Sequence, residues 1–278
     1  MKLTPEELIQ GLDDLPSLPA VVMELLGSID QEDADISVLA RKVSSDQALT
    51  AKTLRLANSS AFGLVKSTTI QQAMTYLGFQ ATRNLILAAA MTGCFPSGRC
   101  PSFDDKAFWR LSIATAACAR VLARHMHFNQ DVAFTAGLLH GIGRLVLVTR
   151  FPERYQAVLS LRDKRDCELA EAERALMGLD HVDAGVALAE HWHFSDTMRQ
   201  AIAFYRLPEA PGAGFLATIV HVAGAVVQAL DLAGNPDELV PRVSAVAWTA
   251  LGLSEEAWLQ VFHDTELQVE EMAAILMA

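Results

Sequence analysis

Helix-start signals followed by apolar residues at three- and four-residue spacing recur along nearly the whole chain, and no stretch alternates with period two over a useful length. A pattern of this kind buries its apolar side chains by packing helix on helix. "TPEE" (4–7) places Thr4 as an N-cap, Pro5 at the first helical position and Glu7 where a capping box needs its carboxylate. Asp35 is expected to cap a helix whose Ile36, Leu39, Ala40 and Val43 share one face, and Ser44 with Gln47 reads as another capping box. Thr69 precedes Ile70, Ala73, Met74 and Leu77, Gly78 stops that helix, and another runs over about 80–91. After "TGCFPSGRCPSFDD" (92–105), rich in turn residues, helices are expected from Ser102 or Asp104, from Asn129, and near Pro152, Asp166, His181, Ser195, Asn235 and Ser254. "LVLVTRF" (145–151) reads as helix rather than strand. The expected architecture is all-α: an N-terminal helical subdomain over 1–95, a linker over 96–104 and a second bundle over 105–278, packed together through apolar faces.

With 278 residues, 51% of them hydrophobic, the chain can bury a substantial core. The longest apolar candidate for a membrane span, "GFLATIVHVAGAVVQALDLAG" (214–234), contains His221, Gln228 and Asp231 and reads as a central core helix. No membrane association is expected. "MKLTPEELIQG" lacks the apolar segment of a secretory signal, which makes the cytoplasm the expected location and Cys94, Cys100, Cys118 and Cys167 free thiols. Formal net charge is −11, with 7 Lys and Arg against 10 Asp and Glu before residue 95 and 15 against 23 after it. A nucleic-acid binder neutralises phosphates with a basic surface, so no nucleic-acid partner is expected.

"LPSLPAVVMELLGSID", "ISVLARKVSSDQALTAKTLRLANSSAFGL" and "TIQQAMTYLGFQATRNLILAAAM" resemble the N-terminal half of an HDOD domain, the HD-related output domain of bacterial signalling proteins. The resemblance continues through "FWRLSIATAACARVLARH", "AFTAGLLHGIGRLVL", "GLDHVDAGVALAEHWHFSD" and "AIAFYRLPEAP", covering about residues 15–211. It implies an HD-like helical bundle for the second half, similar in fold to HD and HD-GYP phosphohydrolases. Those enzymes hold one or two divalent metals with histidines and aspartates from several helices, and the metal lowers the pKa of an attacking water.

On the resemblance, the first metal histidine falls where Leu111 stands, and the His-Asp pair has become His140-Gly141. His181 in "LDHVDAG" is retained, the later histidines fall at Phe204 and Tyr205, and the last aspartate falls near Gly224 in "IVHVAGAVV". His140, His181 and at most His221 then remain, without a carboxylate partner, and such a set does not hold a catalytic divalent metal. The residual positions are His140, Gly141, Arg144 and His181. The implied protein is not an enzyme and carries no cofactor. It is a signal-transduction module that acts through contacts with signalling proteins in trans. The alternatives are a metal-dependent phosphohydrolase of nucleotides or cyclic dinucleotides, and a nucleotide-binding pseudoenzyme.

Plainer roles stand beside these. His140 reads as a buried histidine bonded to backbone, Gly141 and Gly143 as residues that end one helix and turn into the next, and His181 as a turn residue beside Asp180. Arg144 suits either a phosphate or an ordinary ion pair in a turn. His191 and His193 in "EHWHF" are two residues apart and face different sides of a helix. In "RLANSSAFG" (55–63), Asn58, Ser59 and Ser60 read as cap and turn residues. The functional alternative is a docking patch of Asp46, Lys52, Arg55 and Asn58.

Overall fold

A computed structural model of the chain describes every residue except 1, 17, 28–35, 59–66, 96–97, 235–239 and 277–278. The chain is 73% helical, and no strand occurs among the described residues. The first group of helices comprises α1 (Pro5–Asp13), α2 (Ala20–Gly27), α3 (Ile36–Ser44), α4 (Gln47–Ala57), α5 (Ile70–Leu77) and α6 (Phe79–Cys94). The second begins with α7 (Asp105–His125), α8 (Gln130–Leu139), α9 (Ile142–Arg150), α10 (Pro152–Arg165) and α11 (Leu169–Met177). It continues through α12 (His181–His191), α13 (Asp196–Phe204), α14 (Phe215–Ala229), α15 (Ala245–Ala250) and α16 (Glu255–Leu276).

Most starts are set by the capping chemistry expected of them. Thr4 and Glu7 form the reciprocal capping box, and Thr69, Asp104, Asn129, Ser195 and Ser254 each accept a bond from a first-turn backbone N–H. Two starts differ. Ser44 is the last residue of α3 and spends its hydroxyl on the Ala40 carbonyl, while Asp46 caps α4 by accepting from Leu49 N at 2.9 Å. The carboxylate two residues nearer the helix outcompetes the serine, and an anion also suits the helix N-terminus. Asp166 ends α10 in a left-handed conformation (φ 48°) rather than starting α11, whose N-cap is Glu168. The expected starts at Asp35 and Asn235 lie outside the described residues.

The centre of the molecule is α7, flanked by α8, α14 and α16. Ala114, Ala116, Ala117, Cys118 and Ala119 are fully buried along it, and these small side chains let neighbouring backbones come close. A Cβ on Gly137 of α8 would lie 2.7 Å from the Ala116 Cα. The pair α9 and α12 is tighter still, since a Cβ on Gly143 would lie 1.9 Å from the His181 carbonyl oxygen and 2.4 Å from Gly185 N. Gly143 is therefore a close-approach residue inside α9, not the turn residue expected. Gly141 does begin α9, with an ordinary φ of −94°.

One apolar core runs from Leu3 to Val269. It includes Gln130–Arg150, which has a mean hydropathy of 1.6 but breaks at His140–Gly141 and is 94% buried in its apolar window. The four cysteines are free. The first helix is fastened to the second group: Leu3 N donates to the Met177 carbonyl at 2.7 Å, Arg154 pairs with Glu7, Arg150 pairs with Asp14, and α1 lies against α9 and α12.

Candidate functional site

The buried residues of α11 are Ala170, Ala172, Glu173 and Met177, so a carboxylate occupies a position between alanines and a methionine on the apolar face. Glu173 is 0% exposed. Its desolvation is offset by three donors: Tyr155 hydroxyl to Oε1 at 3.0 Å, and His181 N and Nδ1 to Oε2 at 2.9 and 2.5 Å. Burial pushes the Glu173 carboxyl up, but the nearby His181, its two bonds and the Arg144 charge outweigh that and leave it below the usual carboxylate range. Glu173 is thus a buried anion that fixes a histidine.

His181 is aimed by its own helix start. Asp180 and Asp183 form a capping box, so the first residue of α12 is locked with its ring directed inward at 3% exposure. His181 is the first helical residue after the Asp180 cap rather than the turn residue expected, and the expected absence of a carboxylate partner is overturned. With Nδ1 bonded to Glu173, Nε2 points the other way and lies 2.9 Å from the Tyr205 hydroxyl. A carboxylate–histidine pair is what orients a metal-ligating imidazole in metalloenzymes, with the far nitrogen on the metal. Here a phenol stands at the far nitrogen. Burial raises the Tyr205 hydroxyl to about 12, so it keeps its proton at neutral pH.

Tyr205 also joins the two residual histidines, because its ring meets the His140 ring edge-on with centroids 5.0 Å apart. His140 caps α8 and donates from Nδ1 to the Gly137 carbonyl at 2.6 Å, the backbone bond of the plainer reading, but it is half-buried where that reading has it buried. Gly141 offers no ligand, and a Cβ there would meet the Phe108 ring at 3.3 Å. Leu111 is buried among hydrocarbon at 5% exposure. Arg144, on α9, lends positive charge to Glu173, Tyr155 and Tyr205.

His221 serves the backbone. It donates from Nδ1 to the Tyr205 carbonyl at 2.8 Å and accepts from Ser244 N at Nε2 at 2.9 Å, while burial lowers its pKa. Gly224 faces Thr115 of α7 across ordinary van der Waals distance. Among the described residues no three His, Cys, Asp or Glu side chains form a metal-sized group. The donors present do not fit the HD metal. Both His181 nitrogens are committed, His140 Nδ1 is committed to a carbonyl, and glycine and leucine stand at two positions where the resemblance to HD proteins places ligands.

The four docking candidates are not gathered into this site. Asp46 caps α4, and Asn58 accepts from Ser67 N and donates to Ser67 O at 2.6 and 2.7 Å. The Lys52 ammonium lies over Gly93, where an added Cβ would be 2.8 Å from it, and Arg55 is exposed. Glu173 and Tyr155 are the site residues that sequence reasoning did not single out. The available signal was the charge in the α11 apolar stripe.

The all-helical bundle that buries the Glu173–His181 pair has the fold of solved HDOD and phosphohydrolase-named proteins. The chain belongs to the HDOD family, whose model, described as the HDOD domain, matches residues 15–208. A crystal structure of a protein carrying a phosphohydrolase name, from Shewanella amazonensis SB2B, is similar over 97% of this chain and 98% of its own, with 30% identity and a TM-score of 0.76. An HDOD domain protein of unknown function from Geobacter sulfurreducens is similar over 97% and 95%, with 25% identity and a TM-score of 0.77. A cyclic di-GMP phosphodiesterase, CdgJ, of Vibrio cholerae is 27% identical over 52% of this chain and 34% of its own. The chain spans less than half the length of the curated relatives it matches, with 45% of an uncharacterised Treponema pallidum protein covered.

Proposed function

We propose that this chain is a non-catalytic signal-transduction module that works in the cytoplasm through contacts with a signalling protein in trans. The observation that carries this reading is the Tyr205 hydroxyl on His181 Nε2, the nitrogen a metal would need. Phe108 beside Gly141 supports it, because that ring lies where a carboxylate would have to begin. A module without chemistry acts by differential binding, and an exposed surface must carry the recognition. The face of α4 that carries Lys52 and Arg55 is the proposed docking surface, with Asp46 and Asn58 holding its two ends in shape.

The names of two relatives favour a second reading, a metal-dependent phosphohydrolase of nucleotides or cyclic dinucleotides. Elemental analysis of the purified protein after dialysis, paired with a cyclic di-GMP hydrolysis assay in manganese, separates the two. No bound metal and no hydrolysis are expected. Stoichiometric metal together with turnover overturns the proposal.

A further inference from the structure

Charge is not spread evenly along the chain. Residues 36–94 carry six basic side chains (Arg41, Lys42, Lys52, Arg55, Lys66 and Arg83) and a single acid, Asp46. That net of +5 stands in a chain of net −11, so the remaining residues carry −16. Some of the positive charge is spent internally. Arg83 is buried and donates to the Leu25 carbonyl, and Lys42 pairs with Glu24 at 2.5 Å. Arg41 and Arg55 remain exposed on α3 and α4, helices that pack against each other. The only acid of the segment is turned to internal use, since the Asp46 carboxylate accepts from Leu49 N. The helix that packs on both, α5, exposes Tyr76 at 59%. Arginine and tyrosine are the residue types that dominate binding energy at protein interfaces.

We infer that the α3–α4–α5 edge docks an acidic surface of a partner protein, anchored by Arg41, Arg55 and Tyr76. This rests on the proposed function and names the partner chemistry for its docking surface. A nucleic acid fits the same edge less well. A duplex carries one charge per about 1.7 Å and extends past any small patch, where it meets the −16 of the rest of the chain. A compact acidic epitope meets only the patch, and long-range attraction then aids encounter more than it adds affinity.

Fluorescence anisotropy with labelled poly-L-glutamate and, in parallel, a labelled random-sequence duplex, both in low salt, tests the inference on the full chain. The wild type is expected to bind the polyglutamate in preference to the duplex, and added salt is expected to weaken that binding. Arg41→Glu with Arg55→Glu is expected to weaken it by about tenfold, as the loss and reversal of two exposed charges implies. Lys164→Glu with Arg165→Glu, exposed at the end of α10, makes the same change in net charge and should not weaken it. Absence of polyglutamate binding, equal loss in the control, or preference for the duplex overturns the inference. A melting temperature for the arginine variant within a few degrees of wild type is expected, because exposed charges alter stability by less than about 0.5 kcal/mol. Failure here leaves the metal and hydrolysis assays untouched, so the two readings fall separately.

Discussion

The Tyr205 hydroxyl lies 2.9 Å from His181 Nε2, while Glu173 holds Nδ1 of the same ring at 2.5 Å. One imidazole is thus bonded at both nitrogens inside the bundle. Tyr205→Phe removes only the oxygen, leaves a buried nitrogen unpaired and is expected to destabilise the fold by about 1–3 kcal/mol. Urea denaturation of the two proteins checks this. An unchanged midpoint would show that water replaces the phenol without loss.

Gly143→Ala is expected to be far more damaging than its single methyl suggests. The added Cβ would lie 1.9 Å from the His181 carbonyl, and both atoms belong to packed helix backbones that cannot swing aside. A loss of more than about 3 kcal/mol, or failure to fold, is expected by circular dichroism, at the severe end for a core overpacking change. A variant as stable as wild type would refute the close approach of α9 and α12.

Gly141→Asp restores the residue type of an HD pair but is not expected to restore chemistry. Its Cβ meets the Phe108 ring at 3.3 Å, and Leu111 and Tyr205 remain where the resemblance to HD proteins places other ligands. A cost of about 1–3 kcal/mol without any gain in phosphodiesterase activity is expected. Turnover in the purified variant would show that the assigned ligand positions are wrong.

Glu173 ties stability to acid pH. Its folded carboxyl lies below the ordinary value of 4.5, so the folded state holds its proton less tightly than the unfolded chain. The stabilisation is complete above 4.5 and is lost as pH falls through the lower folded value. Glu173→Gln should flatten this acid limb of the stability curve, and at neutral pH it should cost about 2–4 kcal/mol because three donors lose a buried anion. Parallel acid limbs in the two proteins would assign the effect to other carboxylates.

His221 acts in a higher window. Its folded pKa is lowered from 6.5 because burial penalises the charged ring, and the neutral ring accepts from Ser244 N at Nε2. The neutral form contributes fully above 6.5, and that contribution is lost as pH falls from 6.5 through the folded value. Thermal midpoints of wild type and His221→Leu should therefore differ more at pH 7.5 than at the acid end. A constant difference would mean that the ring does not titrate between the two states.

The fold was legible because helix caps and apolar spacing are local. Thr4–Glu7, Thr69, Asn129 and Ser195 each sit within three residues of the N–H they satisfy. Ser44 misled because Asp46 competes for the same helix start, and sequence alone does not rank two capping residues two positions apart. The residual positions were legible through likeness to HD proteins, but their partners were not. Glu173 and His181 are eight residues apart and meet only because α11 and α12 fold back on each other, and Tyr205 arrives from another helix end. Gly143 was named for the wrong reason, since a glycine required by a neighbouring backbone looks the same in sequence as one that turns a chain.

The clasp between Asn58 and Ser67 has a consequence for evolution. One amide side chain donates to and accepts from the same residue, so it closes the base of the span between them whatever that span contains. Lengthening such a span changes closure entropy by only about 0.6 kcal/mol per doubling. The junction between α4 and α5 is thereby carried by Asn58 and Ser67, which the two helices inherit together.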